Sequence, residues 1–237
     1  MILQIDHIAF SSMNFKEHIR ILQSLGYSLK FSSSGKKNME IKRPLLREFM
    51  ELHDLALLSH ESSLSIELLN HGHINDAEGF IFPLFDNVPS GFLSSFGVDA
   101  GVYSDKGSFR FNKFVVKTSN VRKSADFWKN FGFREIECDS EGAILEFRSP
   151  LSKISCTVFL KHDRSVVNDF NFLDDKGFNC IAFISNSAKK EREVLVKSGI
   201  KTTEIEQFIS DKLSLSVFFA IGPSGELVEI IEPEITR

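Results

Sequence analysis

Ile5-Asp6-His7-Ile8-Ala9-Phe10, Phe111-Asn112-Lys113-Phe114-Val115-Val116 and Phe178-Asn179-Cys180-Ile181-Ala182-Phe183 are three versions of one pattern. Each is apolar and β-prone, as expected of a strand buried on at least one face. Outward from each, a polar break leads into an amphipathic stretch that stops at a glycine. In the second copy Ser119-Asn120 can cap a helix carrying Val121, Ala125, Trp128 and Phe131 at helical spacing, closed by Gly132. The first copy runs from Asn14 through Ile19, Leu22 and Leu25 to Gly26, and the third from Asn186 through Val194 and Leu195 to Gly199.

After each glycine a further strand is expected, at 27–31, 133–137 and 200–205, followed by a strand pair. The pairs are 54–58 with 64–69, 143–147 with 154–160, and 214–220 with 227–231. Gly222-Pro223-Ser224-Gly225 joins the last pair and is a hairpin connector of the kind that sets register. Three self-similar segments therefore predict an α+β chain of repeated βαβββ modules forming cupped mixed sheets. The organisation expected is a first module at 1–70, a Phe-rich connector at 71–110, and paired second and third modules at 111–237.

Bulk properties narrow the function classes. With 237 residues, 42% of them hydrophobic, the chain can bury one large core or two small ones without a metal or disulfide to hold it. The 24 Phe residues, against two Tyr and one Trp, suggest thick apolar packing behind the sheets. The net charge of -4 arises from acids and bases mixed along the chain, with no basic stripe for a nucleic acid. No apolar run approaches a membrane span, and the N-terminus has no leader pattern. Cys138, Cys156 and Cys180 have no CxxC spacing and fit buried thiols in a reducing compartment. A cytoplasmic protein acting on a small molecule is the expectation.

The Ile-Asp-His-Ile-Ala-Phe start, the Ser65-Ile66-Glu67-Leu68-Leu69 strand and the segment from Gly222 to Pro233 (Gly-Pro-Ser-Gly-Glu-Leu-Val-Glu-Ile-Ile-Glu-Pro) resemble the vicinal oxygen chelate superfamily. That superfamily includes glyoxalase I, methylmalonyl-CoA epimerase, extradiol dioxygenases and the bleomycin and fosfomycin resistance proteins. The resemblance spans 1–70 and 111–233. It implies that two modules pair into a cup, with ligands for a divalent ion pointing inward from the first and last strand of each. The period of two along a strand lets side chains from separate strands converge in this way.

By that resemblance His7 and Glu67 are the metal ligands of the first module, for Zn, Ni, Co or Mn. In the second module Lys113 takes the histidine position and Thr157 or Val158 the acid position; in the third these are Cys180 and Glu229. Lys113 and Cys180 are candidate ligand-binding residues, Lys113 through an anion. Without the resemblance, His7 reads as a packed histidine and Cys180 as a small buried apolar residue. The short connector at 162–176 favours a cup built from modules two and three, holding Lys113, Cys180 and Glu229. The first module's sheet edge would then need cover, from 71–110 or from a second copy in a homodimer where His7 and Glu67 meet their symmetry mates. Pairing of modules one and two is the alternative.

His71 and His73 are reserve ligands, and the basic stretch Lys36 to Arg47 could receive a phosphate or a CoA tail. The connector, with Phe80 to Phe85 and Phe92 to Phe96, is expected to pack across a sheet or line the cavity.

The resemblance implies a metal-dependent lyase or isomerase acting on vicinal oxygens through an enediolate or enolate, with Glu229 as the base. The alternative is a metal-free small-molecule binding protein of the bleomycin-resistance kind. Dioxygenase chemistry is disfavoured, because the required two-histidine, one-carboxylate set is missing from the aligned positions.

Overall fold

A computed structural model describes residues 1–73, 75–89, 92, 100–104, 107–166, 171–210 and 213–234. The order of elements repeats the sequence pattern. The first module is β1 (Ile2–Ser11), α1 (Phe15–Ser24), β2 (Ser28–Lys37), a 3-10 turn at Glu40–Leu45, β3 (Leu52–Ser59) and β4 (Ile66–Asn70). The connector contains β5 (Asn75–Glu78), β6 (Ile81–Asp86) and β7 (Gly101–Ser104). The second module follows as β8 (Arg110–Thr118), α2 (Val121–Lys129), β9 (Arg134–Cys138), β10 (Gly142–Arg148) and β11 (Ser155–His162). The third is β12 (Asp175–Ser185), α3 (Ala188–Lys197), β13 (Lys201–Thr202), β14 (Glu206–Ser210), β15 (Leu213–Ile221) and β16 (Leu227–Glu234).

Side chains cap the second and third helices, whereas Asn14 makes no capping hydrogen bond to the first. The Asn120 side chain accepts from the Lys123 amide, and Ser187, rather than Asn186, accepts from the Lys190 amide. Gly26, Gly132 and Gly199 follow the three helices at positive φ, where a β-carbon is strained. Each helix buries its apolar face behind its own sheet. Trp128 and Ala125 are fully buried against Phe114 and the β9–β11 strands.

The pairing of modules differs from the expectation. β12 runs antiparallel to β1 along its length, from Ile2 opposite Ser185 to Ser11 opposite Gly177. The first module thus pairs with the third, not the second with the third. β4 flanks β1 in parallel and β16 flanks β12 in parallel, so the first cup is β2-β3-β4-β1-β12-β16-β15-β14. In the third module the second strand, expected at 200–205, is reduced to β13, and β14 follows it; both pair with β15.

The connector explains this pairing. β6 lies antiparallel to β8, and β7 lies parallel to β6, as β4 lies parallel to β1. It therefore supplies two strands of a reduced fourth module. The second module has its central partner in β6 and completes the row β7-β6-β8-β11-β10-β9. That leaves β12, apolar and buried on both faces, to close the open edge of β1. Phe85, Phe92, Phe109 and Phe111 pack on one another behind these strands, so the connector builds core; residues 93–99 lie outside the described residues. Among the described residues no helix is long and apolar enough to cross a membrane.

Candidate metal centre

The first cup brings together side chains from both ends of the chain. On its floor Ala9 lies opposite Cys180, and Ala182 lies opposite His7. Ala9 also pairs with Glu67 on β4, and Ala182 with Glu229 on β16. The two alanines leave the floor low, so His7 and both glutamates project over it into one space. The His7 Nε2 atom is 3.4 Å from Glu67 Oε2 and 3.7 Å from Glu229 Oε2. One ligand atom from each of the three lies within 4.8 Å of the others.

The electrostatics follow from burial. Desolvation works against charge on His7, but the negative charge of Glu67 and contacts to Asp6, Glu229 and Glu67 outweigh it and raise its pKa well above the ordinary range. Burial likewise disfavours charge on Glu67, yet the positive charge of His7 beside it, with help from Lys42, draws its carboxyl far below the usual range. The pair is thus held as imidazolium and carboxylate when nothing else occupies the space.

The residues fit a divalent ion. The buried Nε2 of His7 has no hydrogen-bond partner of good geometry, and faces two carboxylates whose mutual repulsion a cation would relieve. Asp6 Oδ2 accepts a hydrogen bond from His7 Nδ1 at 2.8 Å. A carboxylate on one ring nitrogen fixes the tautomer that presents the other to a metal. One imidazole and two carboxylates suit Zn, Mn, Co or Ni.

The other expected residues fall elsewhere or play other parts. Cys180 is buried on the cup floor, outside the three-residue group, and burial followed by the charge of Glu229 pushes its thiol far up; such a thiol is inert. Lys113 does not meet Glu229 or Cys180. It lies in the second half, where its ammonium donates to Asp86 at 2.9 Å and sits 4.1 Å from the centroid of the Tyr103 ring. The acid position there is Phe159, set by its pairing with Val115, one register step beyond Val158. Among the described residues that half has no metal-ligating group. His73 Nε2 is 2.7 Å from Asp174, and His71 is buried with its ring centroid 5.6 Å from that of His53. Both are outside the three-residue group.

A cavity of about 630 Å³ opens over the group and is lined by His7, Glu67, Glu229, Lys42 and His53 among others, a size suited to a small molecule. No described residue of the connector lines it. Two of its wall residues were not singled out from sequence. Lys42 sat inside the basic stretch without distinction, because burial in a 3-10 turn has no local signature. His53 shares the cup-facing side of β3 with Leu55, a period-two signal that was readable once β3 was correctly bounded.

Comparisons with known proteins bear on the fold. No family model matches the sequence, and no curated protein matches it either. Solved structures do. A point variant of glyoxalase I from Zea mays superposes with a TM-score of 0.62 at 12% identity, covering 97% of this chain and 92% of that one. A second variant of the same enzyme gives 0.59 at 12% identity (97% and 93% covered), and glyoxalase I from Zea mays itself 0.57 at 12% identity (97% and 92%). With its paired βαβββ cups spanning nearly the whole length of these structures, the chain has the fold of the vicinal oxygen chelate superfamily.

Proposed function

We propose that the protein is a divalent-metal lyase or isomerase acting on a small substrate with adjacent oxygens. The observation that carries this reading is the convergence of His7, Glu67 and Glu229, from three strands, in a cavity of ligand size. His7 and Glu67 would hold the ion, with Asp6 keeping the imidazole in the ligating tautomer. A bound divalent ion supplies Lewis-acid polarisation of the two substrate oxygens. Glu229, on the opposite side of the cup floor from Glu67, is the carboxylate suited to take a proton from the substrate carbon and return it. The similarity to glyoxalase I supports the reading at the level of fold.

Elemental analysis of protein purified under metal-replete conditions tests it. One Zn, Ni, Co or Mn per chain, lost in His7→Ala, is the expected result. A metal-free protein in which His7→Ala and Glu67→Ala fold unchanged would instead favour a binding protein, where a protonated His7 pairs with both carboxylates.

A further inference from the structure

The cavity has a cationic wall facing the carboxylate group. Lys42 is buried, lines the cavity, and forms no ion pair with any described residue. Its ammonium is 5.9 Å from the centroid of the Phe219 ring. A lysine in a loop normally extends its stem and ammonium into bulk solvent. Here the stem is buried and the side chain lines the cavity instead. The 3-10 turn carrying Lys42 is pinned on one side by the Ile41 amide donating to Glu206 on β14 at 2.9 Å. On the other side the Leu173 amide donates to Leu45 O at 2.8 Å, and the Arg47 amide donates to Asp174. The turn that carries the lysine is thus held on both sides, and Lys42 lines the cavity.

His53 supplies a second, independent observation. It is buried, lines the same cavity, and its Nδ1 has no hydrogen-bond partner. Burial first, and then the charge of Lys42, bring its pKa down to about 3, so it is a neutral hydrogen-bonding group. One side of the wall is apolar, formed by Met39, Phe208, Leu215, Val217 and Ile231, while Ser32, Ser33, Lys36 and Lys37 add polar groups on another.

Charge counting then selects the occupant. With a divalent ion balancing Glu67 and Glu229, the three lysines of the lining, Lys36, Lys37 and Lys42, leave the cavity wall cationic, Lys42 being the buried one of the three. We infer that the cavity takes an organic anion with an apolar body, its carboxylate or phosphate held by Lys42 and His53. This rests on the reading of the first cup as the functional site and narrows its substrate class. A charge-assisted hydrogen bond gives such a site its preference for an anion over a neutral ligand of the same shape.

Titration calorimetry with three probes tests this: phenylpyruvate, phenyl phosphate, and neutral 1-phenyl-1,2-propanedione. The full-length protein is used as wild type, Lys42→Met, which keeps the apolar stem, and Lys42→Arg, which keeps the charge. Metal content and circular dichroism are recorded for each. One or both anions binding wild type and Lys42→Arg at least about tenfold tighter than the dione, with the preference lost in Lys42→Met at unchanged fold, is the expected result. Preference for phenylpyruvate or for phenyl phosphate identifies the anionic group. Equal binding of the dione, retention of the preference in Lys42→Met, or no binding by either anion overturns the inference. A Lys42-dependent preference in protein that holds no metal removes the lyase or isomerase reading alone, whereas bound metal without that preference removes the anion subsite alone.

Discussion

The imidazole of His7 donates from Nδ1 to Asp6 Oδ2 at 2.8 Å, and its other nitrogen faces Glu67. Asp6 immediately precedes His7, so a single strand supplies both a ligand and the group that orients it. Asp6→Ala is expected to weaken metal affinity by about 10- to 100-fold while leaving the fold intact. Competition with a fluorescent chelator measures this directly, and unchanged affinity would sink the assignment.

Glu229 reaches the same space from β16 near the other end of the chain, 3.7 Å from His7 Nε2. Glu229→Gln keeps the shape and removes the proton acceptor. Loss of turnover by about 100-fold or more, with the substrate still bound, is expected of a general base. Exchange of the substrate's carbon-bound proton with deuterated solvent, followed by NMR, reads that step without knowledge of the product.

Away from the centre, Glu226 is fully buried at the Gly222–Gly225 turn, accepting from Ser124 Oγ and from the Ser224 amide, both at 2.7 Å. Burial raises its pKa, with the hydrogen bonds acting in the opposite sense. A raised acid contributes stability that is complete below its unfolded value, about 4.3, and is lost as pH rises through the folded value. Glu226→Gln does not titrate. The stability of the variant relative to wild type should therefore grow as pH rises from about 4.3 through the raised folded value, by about 1.4 kcal/mol for each unit of upward shift. Urea unfolding at several pH values checks the slope, and a flat difference would refute it.

The two halves of the molecule meet through aromatic packing. Phe131, after α2, stacks on Phe183 of β12 with centroids 5.5 Å apart, and both are buried. Phe183→Ala removes the partner of Phe131, Phe133 and Phe147 at once. A loss of about 3–5 kcal/mol is expected. Because this contact joins the second module to the first cup, the loss should appear in a single unfolding transition reported alike by far-UV and near-UV circular dichroism.

Gly79, between β5 and β6, stands where a β-carbon would lie 2.0 Å from Asn179 Oδ1 and 2.2 Å from Phe178 O. No side-chain rotation relieves a clash with a backbone carbonyl. Gly79→Ala is expected to destabilise by about 2 kcal/mol or more and to loosen the junction of β6 with β12, where amide exchange at Phe178 and Asn179 measures the effect.

Local patterning carried much of this fold. Apolar strands at Ile5, Phe111 and Phe178, helices stopping at Gly26, Gly132 and Gly199, and the hairpin at Gly222 are short-range features, and each formed where its residues indicated. His7, Glu67 and Glu229 were legible individually because the strand period marks which side chains share a face. Their company was decided by tertiary structure alone. Whether β12 lies against β8 or β1 depends on what else covers those edges. β6, from the Phe-rich connector, lies along β8, and β12 lies along β1. That pairing gathered His7, Glu67 and Glu229 into one cup and removed Lys113 to the other. The burial of Lys42 and His53 is of the same kind: both owe their place in the cavity wall to strands and turns distant in sequence, and such contacts leave no periodicity in the chain.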